Sequence, residues 1–258
     1  MRILCIGDVF GRPGRDALKA TLPRVRREHR VDLVIANGEN SAHGAGITIT
    51  SARDLFDAGV DVITGGNHTW HRREARAYLE QETRVIRPLN YPRGTPGRGA
   101  VTVQVGDTPV LVLNALGRLF MKPMEDPFQA LNGVLEGSHG VKVIVVDFHA
   151  EATSEKRAMG FFLDGKVSLM VGTHTHVPTA DAQILPRGAA YVTDLGMVGA
   201  RYSVIGLEVP NAVAGFTTGL PSFAQPALGP VEVNAVLVDV DPASGKATAI
   251  TRLDYPVD

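Results

Sequence analysis

Five short apolar runs, each closed by polar side chains, constrain the fold of this chain more than any other feature. The closing segments are Gly7-Asp8, Gly38-Glu39-Asn40, Gly66-Asn67-His68, Asp147-Phe148-His149 and Gly172-Thr173-His174-Thr175-His176. Helical periodicity separates the first three runs from one another. Short apolar runs that alternate with helices are typical of strands buried on both faces of a sheet. The first half of the chain therefore predicts an α/β fold.

The second half reads mostly as strands. Ala100 to Val105 and Pro109 to Ala115, separated by Gly106-Asp107, predict an antiparallel hairpin. Further strand-like segments follow at 182–185, 189–193, 231–240 and 247–252. These suggest a second sheet that packs against the first, which gives an α/β sandwich. No linker divides the chain, so we predict one domain over residues 1–258.

Local signals predict details of the helices. Ser51 to Ala58 is expected to be helical, with a capping-box-like start at Ser51 and Asp54. A charged helix is expected over residues 71–82, and Pro23 is expected to kink or shorten the first helix. Residues 87–99 and 215–230 are rich in Pro and Gly and predict loops.

Charge and composition exclude several classes of protein. The net charge is −1, and the only basic cluster, residues 24–30, resembles the end of a solvated helix. Binding to long nucleic acid is therefore not expected. The single cysteine, Cys5, excludes a disulfide within the chain. No apolar run approaches the roughly 18 to 20 residues of a membrane span, so a cytoplasmic protein is the default expectation. A homo-oligomer is left open.

The polar residues that close the five runs predict a common site. The carboxyl ends of the strands in an α/β sheet form the crevice where ligands bind. Asp and Asn also favour turns, and paired histidines such as His174 and His176 also occur as loop residues with local hydrogen bonds. Five such endings together favour a metal site, because turns do not favour histidine. The candidate ligands are Asp8, Glu39, Asn67, His149, His174 and His176.

The chemical types of the candidate ligands limit which metal ions could bind. Carboxylate, amide and imidazole groups together suit Fe, Mn or Zn better than Ca or Mg. A structural zinc site of the cysteine type is excluded. Six ligands exceed the need of one tetrahedral ion, so two ions with a shared carboxylate fit better.

This series of motifs resembles the calcineurin-like metallophosphoesterase superfamily. Its pattern runs Asp-x-His, Gly-Asp, Gly-Asn-His, His and Gly-His-x-His. Two departures stand out: Phe10 occupies the position of the usual first histidine, and Glu39 replaces the usual bridging aspartate. Both departures resemble one bacterial branch, the YmdB-like phosphodiesterases. Further matches to that branch are residues 38–42, 44–48, 149–156 and 193–197.

The resemblance implies a fold, a cofactor and a reaction. The fold is a four-layer αββα sandwich of two mixed sheets, and the centre holds two transition-metal ions. Iron is the expected metal, with Mn or Zn as alternatives. The activity is hydrolysis of phosphodiesters, including 2′,3′-cyclic nucleotides, so the partner is a small phosphoester.

The resemblance also implies how the ligands divide. Asp8 and His176 hold one ion, and Asn67, His149 and His174 hold the other. Glu39 bridges the two ions. Asn40 is either a further ligand of the first ion or a hydrogen-bond partner of its ligands.

The expected chemistry is attack by a hydroxide that bridges the metals, with His68 as the general acid at the leaving oxygen. The alternative is that His68 makes a hydrogen bond that only holds a partner of a metal ligand in position. Ser41 and His43 are candidates for substrate contact, and Glu151 and Asp194 for support of ligand histidines. Trp70 and Phe120 are expected to be buried, with base stacking as the alternative for each.

Two other functions are compatible with the sequence. A metal-binding regulatory or scaffold protein with vestigial hydrolase activity is suggested by Phe10, which removes one expected ligand. A metal amidohydrolase is the third alternative. The sequence leaves the physiological substrate, the metal and the oligomeric state open.

Overall fold

The computed structural model describes residues 1–221 and 225–257, and these contain fifteen strands and six helices. The helices are α1 (Gly11–Glu28), α2 (Ile49–Ala58), α3 (Ala75–Gln81), α4 (Pro127–Gly137), α5 (Thr153–Leu163) and α6 (Val209–Thr218). Among the described residues, no helix is both long enough and apolar enough to cross a lipid bilayer.

The strands cover both halves of the chain. In order they are β1 (Arg2–Ile6), β2 (Asp8–Val9), β3 (Leu33–Asn37), β4 (Val62–Thr64), β5 (Ala100–Val105), β6 (Thr108–Leu116), β7 (Val143–His149), β8 (Leu169–Thr173), β9 (Gln183–Ile184), β10 (Ala190–Val192), β11 (Met197–Ala200), β12 (Val231–Val233), β13 (Ala235–Val240), β14 (Ala247–Arg252) and β15 (Tyr255–Val257).

Two mixed sheets form the body of the fold. The first has the order β14-β13-β1-β3-β4, and the second has the order β5-β6-β7-β8-β10-β9. β1, β3 and β4 run parallel, as do β6, β7, β8 and β10, while the outer strands pair antiparallel. The predicted α/β class and the β5–β6 hairpin are therefore confirmed.

Three hydrophobic clusters separate four layers. In β1, Leu4 and Ile6 belong to the cluster under α1 and α2, whereas Ile3 and Cys5 belong to the cluster between the two large sheets. This alternation follows from the two-residue period of a strand. The third cluster lies between the second sheet and the helices α4 and α5. The predicted four-layer αββα sandwich follows from these clusters.

A small third sheet branches from the first. It has the order β15-β12-β11-β2, which the sequence analysis did not anticipate. The chain leaves the first sheet between β1 and β2 at Gly7, whose amide donates to the carbonyl of Asn234 at 3.0 Å. A Cβ atom on Gly7 would lie 2.2 Å from the carbonyl oxygen of Gly196, so only glycine fits this crossing. The crossing sends Asp8 into the third sheet, directly beside the site.

Several local predictions need correction. Thr48 caps α2: its side chain accepts from the Ser51 amide, and Ser51 closes the reciprocal bond, so Asp54 takes no part in the capping box. The helix predicted over residues 71–82 is shorter, Ala75–Gln81. Pro23 does not shorten α1, which continues to Glu28, and a kink at Pro23 stays a prediction. In the predicted loop 215–230, residues up to Thr218 belong to α6, and residues 222–224 lie outside the described residues.

Candidate metal centre

The candidate site lies where the carboxyl ends of the two large sheets meet. Glu39 and Asn67 follow β3 and β4 of the first sheet, and His149 and His174 end or follow β7 and β8 of the second. The sheets are joined here by Asn37, whose side-chain amide donates to Asp147 Oδ2 at 3.1 Å. Parallel strands from two sheets therefore direct their terminal side chains to one place.

Four residues each direct one potential metal-binding atom to the same point, and we call them the inner cluster: Glu39, Asn67, His149 and His174. His149 Nε2 lies 3.0 Å from Asn67 Oδ1, 3.0 Å from Glu39 Oε1 and 3.1 Å from His174 Nδ1. Ligand atoms of Glu39, His149 and His174 all lie within 4.8 Å of one another. Glu39 and His149 are fully buried.

The orientation of His149 is fixed by groups behind it. The hydroxyl of Thr173 donates to Asp147 Oδ1 at 2.6 Å, so its oxygen accepts from His149 Nδ1 at 2.9 Å. The hydroxyl of Thr64 also donates to Asp147. Because Nδ1 carries the proton in this chain of bonds, Nε2 of the neutral ring presents a lone pair to the inner cluster.

Three further residues form what we call the outer cluster: Asp8, Asn40 and His176. His176 Nε2 lies 3.6 Å from Asp8 Oδ1 and 3.1 Å from Asn40 Nδ2. Asp8 Oδ2 accepts from the amide of His174, but Asp8 Oδ1 is buried without a hydrogen-bond partner among the described residues. A buried carboxylate oxygen without a donor is costly unless a cation satisfies it.

Charge in both clusters also fits a bound cation. Burial disfavours the charged form of His149, but the carboxylates of Glu39 and Asp8 outweigh it and raise its pKa to about 9. Burial raises the pKa of Asp8, but the nearby His176 and His149 lower it further, below its usual range. Burial and the positive charge on His149 lower the pKa of His174 to about 3. The carboxylates thus favour a proton on His149 but not on His174, and a metal ion would take the place of that one proton.

The His174–His176 segment is not an extended strand end. β8 stops at Thr173, and φ is +102° at His174 and +65° at His176. An extended strand end would direct both imidazoles to one face, and this segment does not. The turn sends His174 to the inner cluster and His176 to the outer cluster. Non-glycine residues at positive φ cost roughly 1 to 3 kcal/mol each, so the surrounding contacts must hold this turn.

Two groups hold this turn in place: the carboxylate of Asp194 and the backbone carbonyl of Ile205. Asp194 accepts from the amide and hydroxyl of Thr175 at 3.2 and 2.8 Å, and from the buried Lys156 ammonium at 2.6 Å. His176 Nδ1 donates to the carbonyl of Ile205 at 2.8 Å, which leaves its Nε2 free for the outer cluster. Asp194 thus supports the turn between the histidines, and the Ile205 carbonyl, which no side-chain pattern reveals, orients His176.

His68 lies between the clusters without joining either. Its Nδ1 is 2.7 Å from Asn40 Oδ1, and its amide donates to Glu39 Oε2 at 2.6 Å. Burial lowers its pKa, while Glu39 opposes that shift. About a third of its side chain remains exposed. Glu151 Oε2 lies 3.1 Å from His174 Nε2, in agreement with the supporting role predicted for Glu151.

The two predicted substrate contacts are not brought into the site. Ser41 is fully buried, and its hydroxyl donates to Ser51 at 2.9 Å, because the 38–41 turn packs on the start of α2. His43 is exposed on the loop with φ +57° and is absent from the residues that line the described cavities at the centre. Substrate contact by either side chain stays a prediction without structural support.

Phe10 occupies the position where the superfamily has a histidine. Its buried ring packs edge-on against His176, with centroids 5.6 Å apart. A Cβ atom on Gly44 would lie 2.9 Å from the Phe10 ring, and one on Gly206 would lie 2.6 Å from it. The ring therefore fills a fitted space beside the outer cluster and contributes no donor atom.

Comparisons with known proteins agree with this fold and show the family of the chain. The model of the YmdB-like protein family matches residues 4–253. A 2′,3′-cyclic-nucleotide 2′-phosphodiesterase of Bacillus subtilis (strain 168) is 42% identical over 254 residues, which is 98% of this chain and 96% of that protein.

Two solved structures are also close to this chain. A protein from Thermus thermophilus has a TM-score of 0.94 and 46% identity, with 99% of each chain covered. A phosphatase from Mycoplasma pneumoniae has a TM-score of 0.95 and 33% identity, covering 99% of this chain and 93% of that one. Both extend the similarity over nearly the whole fold.

Proposed function

The chain belongs to the YmdB-like family of metallophosphoesterases, and from that premise we propose that it is a dinuclear metal-dependent phosphodiesterase that hydrolyses 2′,3′-cyclic nucleotides. The family and its phosphatase relatives make the chain a phosphoesterase. The number of ions, the cyclic substrate and the residue roles are the parts that we propose.

The observation that supports the proposal best is the convergence of the inner cluster. Three atoms, from Glu39, Asn67 and His174, lie within 3.1 Å of His149 Nε2. We propose that they hold one ion, that Asp8, Asn40 and His176 hold the second, and that Glu39 bridges them. These donors come from residues 8 to 176 and from all three sheets, so we propose that residues 1–258 act as one domain.

The metal follows from the donor set. Imidazole, carboxylate and amide ligands without thiolate suit iron, manganese or zinc, and iron remains our expectation. When bound, such ions supply Lewis acidity toward a phosphoryl oxygen and bring the pKa of water to roughly 7.

The protein groups around the centre hold and orient the reacting atoms. The Thr173–Asp147 pair fixes the His149 ring, and the Ile205 carbonyl fixes His176. His68 Nδ1 donates to Asn40 Oδ1, so the doubly protonated ring is the form that carries a further proton on Nε2 and would donate it to the leaving oxygen. We therefore propose His68 as the general acid, positioned by Asn40.

Phe10 favours a second candidate, a metal-binding regulatory or scaffold protein with vestigial hydrolysis. Its ring leaves the outer cluster one ligand short of the superfamily pattern. A weakly bound second ion would slow turnover without affecting the inner ion. This candidate requires the fold and the inner cluster but not the acid at His68.

The test compares turnover and metal content. The protein is reconstituted with Fe, Mn or Zn and assayed with 2′,3′-cyclic AMP and bis-p-nitrophenyl phosphate. We expect hydrolysis of both, and a fall of about 10² to 10⁴ in kcat for His68→Gln with no loss of metal, because His68 is proposed as an acid and not as a ligand. Negligible turnover by the metal-loaded wild type would favour the scaffold alternative. Equal turnover by His68→Gln would contradict the acid role.

A further inference from the structure

A second cavity of about 300 Å³ opens beside the proposed centre, on the far side of His68 and His174 from the cavity that contains Phe10 and His176. The two cavities share only His68 and His174 among the residues that line them. A phosphoester at the centre therefore has one cavity on each side. The second cavity is at the lower end of the roughly 300 to 1,000 Å³ typical of small-ligand sites.

One wall of this cavity is a loop without acidic residues, residues 117–124, which we call the Phe120 loop. It supplies Phe120, Met121, Lys122 and Met124, and Tyr91 faces them from another segment. Two methionines and two aromatic rings form an adaptable apolar surface that suits a flat aromatic ring. Lys122 is the one permanent cation among the residues that line this cavity.

Buried side chains hold the loop in place at both ends. The fully buried Asn90 bonds the amide and carbonyl of Leu116 at 2.8 Å each and the carbonyl of Glu125 at 2.9 Å. The carboxylate of Glu155, which is only 7% exposed, accepts from the amides of Arg118 and Leu119. Asn90 also immediately precedes Tyr91, so one residue positions both walls of the cavity.

Phe120 itself is held in an unfavourable state. Its ring is 91% exposed, which contradicts the burial expected from the sequence, and its φ is +61°. An aromatic residue that gains no burial and sits at positive φ is disfavoured twice. The anchors of the loop maintain that arrangement next to the reaction centre, which is consistent with a ring that becomes covered when a ligand binds.

We propose that this cavity is the subsite for the nucleobase of the substrate, and that Phe120 stacks on the base while Tyr91 and the two methionines form its opposite wall. The proposal rests on the proposed function, since it takes the phosphoester to lie at the metal centre. Its occupant is a planar heteroaromatic ring attached to the ribose of the cyclic phosphoester, which lies at the metal centre beside His68. Phe120 is then a specificity-determining residue and takes no part in bond cleavage.

The test separates the base from the phosphoester. Phe120→Ala is assayed in the metal-loaded protein with 2′,3′-cyclic AMP and with ribose 2′,3′-cyclic phosphate, which lacks the base. Loss of one stacked base raises KM for 2′,3′-cyclic AMP by about tenfold, while values for the abasic compound stay unchanged. Phe216→Ala, which removes an equally exposed ring (85%) from α6, is the matched control and changes neither.

A binding measurement keeps the two proposals distinguishable. Adenosine, which carries the base and no phosphoester, is titrated by calorimetry and is expected to bind Phe120→Ala about tenfold more weakly than the wild type. If the wild type hydrolyses neither ester but binds adenosine through Phe120, the subsite stands and the proposed function fails. Equal effects of Phe120→Ala on both esters, or unchanged adenosine binding, overturn the subsite. A change in oligomeric state with unchanged adenosine binding also overturns it and assigns Phe120 to a subunit contact.

Discussion

The inner and outer clusters lie side by side but are built differently. The inner cluster collects Glu39, Asn67, His149 and His174 from the ends of four strands. The outer cluster has three candidate donors, an Asp8 oxygen without a hydrogen-bond partner in the described part of the chain, and a phenylalanine where a fourth ligand is usual in the superfamily. The inner cluster therefore offers more candidate ligands than the outer one.

The difference extends to the groups behind the donors. The inner histidine His149 is held by Thr173 and Asp147, both buried within strands. The outer histidine His176 is held by the carbonyl of Ile205, which is half-exposed and has a φ of +47°. Since support behind a ligand typically changes metal affinity roughly 10- to 100-fold, we expect the inner ion to bind more tightly than the outer one.

The largest effect is expected from a substitution that blocks the inner cluster. A Cβ atom on Gly66 would lie 2.3 Å from Glu39 Oε2 and 2.4 Å from His149 Nε2. Gly66→Ala is therefore expected to displace both ligands, lose the inner ion and lower kcat/KM by about 10² or more, on the order expected for an ångström-scale misplacement. Metal content and turnover are the measurements.

Gly133→Ala is the matched control for this change. Gly133 lies in α4, and no described residue outside its own helix stands within 4 Å of an added Cβ there. It is expected to keep full activity and to gain roughly 0.5 to 1 kcal/mol in the free energy of unfolding, because alanine is the better helix former. Full metal content in Gly66→Ala would show that the inner cluster is not where the ion binds.

A smaller effect is expected when the support behind the inner cluster is removed. Thr173→Val keeps the shape of the side chain but removes the hydroxyl that His149 Nδ1 and Asp147 Oδ1 share, while Thr64 still donates to Asp147 Oδ2. We expect the affinity of the inner ion to fall about 10- to 100-fold, with the outer ion little affected. Thr102→Val, on the exposed face of β5, is the control and is expected to change neither affinity. Competition with a fluorescent chelator measures both affinities. Equal losses for both ions would mean that Thr173 does not support the inner ion selectively.

The smallest effect, and the only expected gain in metal affinity, comes from a histidine at position 10, where the superfamily has its usual ligand. Phe10→His places an imidazole beside His176, in the space formed by Gly44 and Gly206. We expect the outer ion to bind about tenfold more tightly, which corresponds to about 1.4 kcal/mol, with the inner ion unchanged. The same titration checks this. Weaker binding of the outer ion in Phe10→His would mean that Phe10 supports the cluster by packing and that no ligand is missing.

Much of this organisation was readable in the sequence. The fold class followed from the apolar runs, and the polar residues that close them led to the residues that the structure brings together. The third sheet was missed because β2, β11, β12 and β15 have only two to four residues each. Strands that short leave no clear period.

The groups that orient the candidate ligands and the cavity wall were harder to predict, each for a different reason. Thr173 resembles any strand threonine until the fold places Asp147 behind it. The Ile205 contact uses a backbone carbonyl, which every residue has. Asn90 and Glu155 bond to residues 26 and 37 positions away along the chain, and the exposed Phe120 contradicts the general preference for burial. Sequence patterns therefore located the donors but not the groups that orient them.

Graded removal of metal from the wild type tests the central claim most directly. The loaded protein is dialysed against increasing chelator, and the ions remaining per chain are counted and located by anomalous scattering at the Fe, Mn and Zn edges. We predict two ions at the start, with the outer ion lost first and the inner ion retained by Glu39, Asn67, His149 and His174. A single ion at full loading, or loss of the inner ion first, would contradict the account.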